Sequence, residues 1–369
     1  MPALVLSYLP QPTLRPTPAA LPAPPAATPY LAVRWAGELG ESIQAVAWLP
    51  DHSAVLALTA AGRVVRLQAA DGQPTWGHEA PGNGAVCLGV CPCGALAATG
   101  HLDGTLRLRQ TATGNSLNTV VLGPAWVEHV RWSPDGQWLA ASSGRVLHLL
   151  DGTGRLLGSY AHPHTLDSLS WQPDSRGLAV VSGALVQLWA LKSEAPALEP
   201  GLAPTSGLPV SALAWAPDGR DLATGLPKGR VSVWQLPAGR IASRRRVVGR
   251  LAPVQTLSWH GNGRWLAAAH GPNVAVWAAE AAGLRPVPQL LTDHSLPVRQ
   301  VAFQPHGSLL VSADAGGTLA LWQPAREAAP LLGRHPLGSA ATALHWMANG
   351  CCLAVGTASG RLVVFSVLP

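Results

Sequence analysis

Charge is scarce in this chain. Only 12% of its 369 residues are Asp, Glu, Lys or Arg while 48% are hydrophobic, so a large core under a sparsely charged surface is expected. Phenyl rings are scarcer still, with 2 Phe and 3 Tyr against 15 Trp, which leaves aromatic packing to indoles. No uninterrupted apolar run reaches 18 residues, so no membrane-spanning helix is expected. The apolar run Ala3–Leu9 has no basic residue before it and leads into Pro-rich sequence, so no signal peptide is read there. Cysteines number five (Cys87, Cys91, Cys93, Cys351 and Cys352). An odd set in a chain of this size makes no disulfide framework and fits a reduced cytoplasm.

Catalytic motifs are missing as well. There is no Gly-rich phosphate loop, no Gly-x-Ser-x-Gly elbow, no HExxH, and no segment with a helical period. Asp135, Asp174 and Asp218 sit in Pro-Asp turns and Asp71 and Asp151 in Asp-Gly turns, where the carboxylate serves the backbone. No enzyme is expected. The formal net charge of +6 invites a nucleic-acid reading, but the only Arg run is Arg244–Arg246, with Arg240 and Arg250 nearby. No aromatic residues interleave with it, and cations on an outer strand keep a sheet edge from pairing. Nucleic acid is not an expected partner.

What the chain has is a repeat. An apolar strand runs into a Pro-Asp-Gly-like turn eight times, with Trp48, Val90, Trp132, Trp171, Trp215, Trp259, Phe303 and Trp346 marking the register. The intervals are 42, 42, 39, 44, 44, 44 and 43 residues. A period of about 43 with three strands visible per unit is the signature of a β-propeller blade. Two residues before each marker the residue is always apolar, and two after it six repeats have Pro. In the seventh repeat the pattern predicts strands over Val298–Phe303, Leu309–Ala313 and Thr318–Trp322.

The last repeat ends with its third strand at Phe365, and an unassigned alternating segment, Tyr30–Trp35, precedes the first. Pairing Leu31–Trp35 beside Arg361–Phe365 closes the ring and removes both open edges. The expected fold is therefore all-β: one closed propeller of eight four-stranded blades over residues 30–369, its N-terminal strand completing the last blade. A seven-bladed ring with one repeat displaced is the alternative. Residues 1–29 are a Pro/Ala-rich arm that cannot bury a core. A monomer is expected.

The stretch Pro297–Gly307 (PVRQVAFQPHG), followed by Leu321-Trp322, resembles the WD-repeat family. His162 and His294, nine before their markers, match the family's loop histidine. The resemblance implies an Asp in the turn between the second and third strands, hydrogen-bonded to that histidine. Here it survives only as Asp103; the equivalent positions are Ala61, Lys228, Gly316 and Ser359 elsewhere. The family's tetrad is thus expected to be largely absent. Ala125–Gly136 (AWVEHVRWSPDG), Leu257–Gly263 (LSWHGNG) and Val301–Pro305 (VAFQP) resemble a bacterial subgroup often encoded beside CobW-type, GTP-hydrolysing metal chaperones. That resemblance implies a possible link to zinc homeostasis, with a CobW-type protein as partner.

Four residues before each marker, at the expected mouth of the propeller, stand Gln44, Val86, Glu128, Asp167, Ser211, Gln255, Arg299 and Thr342. Seven of the eight are polar, which fits either a partner-contact ring or hydrated strand ends. Trp126 belongs with them: it lies in a surface loop where the other repeats have Ser, Gly, Thr, Pro or Ala, and it is either a partner anchor or a residue lying flat on a neighbouring loop. The predicted function is a non-catalytic scaffold that presents this mouth to a protein. Metal is the runner-up. His78, His162, His164, His294 and His335 are assigned to loops between repeats, and His101 and His270 to the turns between second and third strands. The Cys91-Pro-Cys93 and Cys351-Cys352 pairs lack strong zinc spacing. No cofactor is expected.

Overall fold

Every repeat folds as an antiparallel meander of four strands, named a to d from first to last. The computed structural model describes residues 30–78, 84–191, 197–200, 209–236, 243–248, 252–280, 283–285, 287–326 and 329–368. The predicted arm, residues 1–29, lies outside them. Eight sheets result, one per repeat; the sixth carries an additional short pairing at Gly283–Leu284. No described segment is helical. Blade three shows the unit: Val127–Trp132, Trp138–Ser143, Val146–Asp151 and Leu156–Ala161. Strands a, b and c alternate small and branched apolar residues and are largely buried between neighbouring blades, while strand d is half-exposed at the rim.

The ring closes as expected. Leu31–Glu38 pairs antiparallel with Arg361–Val367, from Leu31 opposite Val367 to Glu38 opposite Arg361. The eighth sheet is thus built from both ends of the described chain, and the edge of Arg361–Val367 is covered.

The marker residues have a purpose that the repeat pattern alone does not reveal. Their indole N–H groups each donate to the backbone of the preceding blade's strand a. Trp132 reaches Gly89 (3.2 Å), Trp171 Arg131 (2.9 Å), Trp215 Ser170 (3.0 Å) and Trp259 Ala214 (3.2 Å). Trp346 reaches Ala302 and Trp48 reaches His345 across the closing joint. At blade seven, Phe303 has no indole, and its backbone N–H instead donates to Ser258 Oγ at 3.1 Å. Val90 offers neither, but at the rim of the same joint Trp76 Nε1 donates to Thr111 O at 2.9 Å. Adjacent blades are therefore stapled by directional bonds as well as by apolar packing.

The turns between strands a and b follow the sequence reading. The Oδ1 atoms of Asp174, Asp218 and Asn262 accept the backbone N–H two residues on, and Gly136 takes the left-handed φ of 72° that its turn requires. The Ser53 backbone N–H holds the Asp51 carboxyl below its usual range in the equivalent turn of blade one.

Several expectations need correction. The tetrad is complete in blade seven. Strand b runs over Leu310–Asp314, one residue later than predicted. Asp314, not the residue at position 316, supplies the carboxylate. Its Oδ1 accepts the backbone N–H groups of Gly316 and Thr318, and its Oδ2 faces His294 Nδ1 at 3.0 Å. His294 Nε2 meets Ser312 Oγ at 2.7 Å, and the same oxygen accepts the Trp322 indole N–H at 2.7 Å. All four residues are buried. His101 and His270 are not in turns but close strand b of their blades, buried, with His101 Nε2 2.9 Å from Thr99 Oγ1. His78 and His335 lie on strand d rather than in loops. Cys91 and Cys93 are joined by a disulfide across one residue, with Cα atoms 5.2 Å apart, whereas free thiols were expected. Cys87, Cys351 and Cys352 are free.

Candidate functional site

The loops from strand d to the next strand a share one face with the turns between b and c. Backbone bonds tie them together: Leu122 to Gly104, Leu166 to Gly144, Val210 to Gly183 and Leu337 to Gly317. This face is the mouth. In six blades strand a enters through a register shift whose extra residue is the polar position singled out above: Gln44, Val86, Glu128, Gln255, Arg299 and Thr342. A bulge releases one residue from the ladder and re-aims its side chain. Asp167 and Ser211 hold the equivalent place just ahead of strands that begin one residue later. Gln44, Glu128, Asp167, Ser211, Gln255 and Arg299 are exposed; Val86 and Thr342 are half-buried.

These residues are not equivalent in what they have left to offer. Asp167 Oδ2 accepts the Gly183 N–H at 2.8 Å. Ser211 Oγ donates towards Gly225 O and towards Val254 O of the next blade, and Thr342 Oγ1 donates to Gly356 O. These three serve the fold. The described structure gives Gln44, Glu128, Gln255 and Arg299 no side-chain bond. In an eight-membered ring, blade three stands opposite blade seven, so Glu128 faces Arg299 across the mouth, with Asp167 extending the acidic side onto blade four.

Apolar groups accompany both poles. Trp126, 55% exposed, stands two residues before Glu128, and Leu296, 47% exposed, three before Arg299. Leu296 escaped the sequence reading because it lies one residue outside the loop position compared across repeats. Its signal was an aliphatic side chain in the polar loop His294-Ser295-Leu296-Pro297.

Beneath the mouth lies the central channel, a cavity of about 960 Å³. Strands a of blades one, two, three, seven and eight wall it, from Gln44 and Thr342 at the mouth to Pro50 and Pro92 at the other face. Arg131 and His345 are exposed to the channel, between its walls. Burial lowers the Arg131 pKa and pushes that of His345 down to about 4. Burial also brings His129 and His148 down to about 4, and raises the Cys87 thiol to about 12. His345 Nδ1 accepts the Trp48 backbone N–H at 3.1 Å, so its neutral ring carries the proton on Nε2.

Among the described residues no three His, Cys, Asp or Glu side chains converge as metal ligands. The candidate histidines are dispersed instead. His294 belongs to the blade-seven tetrad, His162 is buried against Trp189, and His335 meets Phe365 edge to face. The thiols of Cys351 and Cys352 approach to 3.7 Å, with Cys352 near Arg34.

Two segments, residues 115–153 and 286–323, match the WD domain, G-beta repeat family. They run from the outer strand of one blade through the first three strands of the next and end in blades three and seven, the blades that carry Glu128 and Arg299. No curated protein matches the chain. Among solved structures, the crystal structure of the computationally designed Ika8 protein is similar with a TM-score of 0.77, covering 90% of this chain and 99% of that one at 18% identity. At that identity the likeness concerns the fold. WD40 repeats together with the eight-bladed arrangement support a WD-repeat β-propeller.

Proposed function

We propose that this chain is a non-catalytic scaffold that holds a protein partner on the mouth of its propeller. WD40 propellers generally serve as protein-interaction scaffolds. The observation that carries the reading here is the paired arrangement on blades three and seven. Each offers an exposed apolar side chain beside a charge that the fold does not use: Trp126 with Glu128, and Leu296 with Arg299. An aromatic anchor contributes the affinity of such a contact, and opposite charges across the mouth orient the partner.

Affinity capture tests this with three proteins: wild type, the triple variant Trp126→Ala/Glu128→Ala/Arg299→Ala, and an opposite-face variant, Asp135→Ala/Asp174→Ala. A partner held by wild type and the opposite-face variant but lost by the mouth variant supports the reading. Equal capture by all three, with the fold intact, removes the mouth from consideration. We further propose that the protein acts as a monomer in a bacterial-type cytoplasm. The CobW-type chaperone implied by the sequence resemblance enters the same assay as a purified bait.

A further inference from the structure

We propose that the central channel is a binding site for a small oxyanion, a carboxylate or phosphate group, clamped by Arg131. The cavity's charged and polar side chains are Gln44, Arg131, Gln300, His306, Thr342 and His345, and no Asp or Glu lines it. In the strand-a position just before each marker, six blades carry Ala, Gly or Ser, so the channel wall is small there. The two large residues at that level are Arg131 and His345, and both line the cavity.

Arg131 makes one side-chain hydrogen bond among the described residues, from Nη1 to Val130 O at 2.9 Å. It joins none of the ion pairs found among them, which are Arg107–Asp103, His294–Asp314, Arg334–Asp293 and Arg361–Glu38. A guanidinium carries five N–H donors in a planar fork that matches the oxygens of a carboxylate or phosphate. Exposed to the channel and paired with no carboxylate among the described residues, its fork is free to hold an anion bidentately. His345, on blade eight, lines the same cavity and supplies a further donor, because Trp48 occupies its Nδ1 and leaves the proton on Nε2. A formal net charge of +6 favours the approach of anions. The channel site does not depend on the mouth reading, since none of Trp126, Glu128, Leu296 and Arg299 lines the cavity.

Isothermal titration calorimetry at pH 7 tests the site. Wild type is titrated with potassium phosphate and, separately, with potassium succinate, against potassium chloride at equal ionic strength. Saturable binding of either oxyanion beyond the chloride control is expected, and the two arms distinguish phosphate from carboxylate. Arg131→Gln should weaken it by about tenfold or more, as loss of a charge-assisted bidentate pair does. Arg264→Gln, on the exposed turn of blade six, should leave it unchanged. Arg131→Lys, which keeps the charge and loses the fork, should fall between wild type and Arg131→Gln. Absence of saturable binding to wild type by both oxyanions overturns the proposal, as does wild-type affinity in Arg131→Gln or Arg131→Lys.

Discussion

Ser312→Ala in blade seven and Val180→Thr in blade four are opposite experiments at one structural position. In blade seven Leu310 pairs with Trp322, and Ser312 lies two residues further along strand b. Its hydroxyl oxygen serves the Trp322 indole and His294 Nε2, both at 2.7 Å in a fully buried setting. Alanine leaves two buried polar groups without partners at about 1–3 kcal/mol each, so a loss of about 2–6 kcal/mol is expected. In blade four Leu178 pairs with Trp189, which places Val180 at the same position. There the Trp189 indole nitrogen and both ring nitrogens of His162 are buried without a hydrogen-bond partner among the described residues. Threonine has the shape of valine and adds the missing hydroxyl. Blade five already uses this solution, with Trp234 Nε1 donating to Thr224 Oγ1 at 3.1 Å. Val180→Thr should therefore stabilise the protein by about 1–2 kcal/mol, the new bonds outweighing desolvation of the hydroxyl. Urea midpoints followed by tryptophan fluorescence read both variants. If Val180→Thr is neutral or destabilising and Ser312→Ala costs under about 0.5 kcal/mol, well short of one orphaned group, the hydroxyl is not what stabilises these blades.

Three further outcomes follow from the same geometry. Trp215→Phe removes the bond to Ser170 O while keeping most of the ring, and should cost about 1 kcal/mol, against about 3–5 for Trp215→Ala; a neutral Phe variant would show that the indole staple contributes nothing. The pKa values of His129, His148 and His345 fall to about 4 in the fold, so the unfolded chain binds protons that the folded one refuses. Stability should be full above about pH 6.5 and fall as the pH drops towards 4, and His148→Gln should flatten that slope in urea midpoints taken across the window; an unchanged slope contradicts the assignment. Deleting Leu31–Glu38 exposes the edge of Arg361–Val367 and should abolish the cooperative melt or produce self-association on size-exclusion chromatography, whereas a monodisperse protein with an unchanged melt argues against closure by this strand.

The ring was legible because its determinants are local and repeated. The markers, the apolar residue two before each, the Pro and Asp of the turns and the orphan strand at Leu31 all follow from spacing. What escaped depends on contacts that spacing does not encode. Asp314 does the work expected at Gly316 because its side chain reaches the backbone two and four residues on, so position-by-position comparison looked at the wrong residue. The staples join a marker to a backbone carbonyl about 40 residues away, and a carbonyl leaves no trace in residue type. At the mouth the polar position was legible as a polar strand entry, and the bulge that re-aims it was not. Which of its occupants the fold consumes was not: Ser211 is spent on Val254 O of the next blade, a partner visible only in three dimensions.

In the proposed arrangement a partner sits over blades three and seven at the mouth. A photo-crosslinking amino acid placed at Trp126, at Leu296 and, as a control, at Gln137 on the opposite face tests it most directly. One and the same protein should be trapped from positions 126 and 296 and not from 137. Crosslinks from 137 alone, or different proteins from 126 and 296, would contradict it.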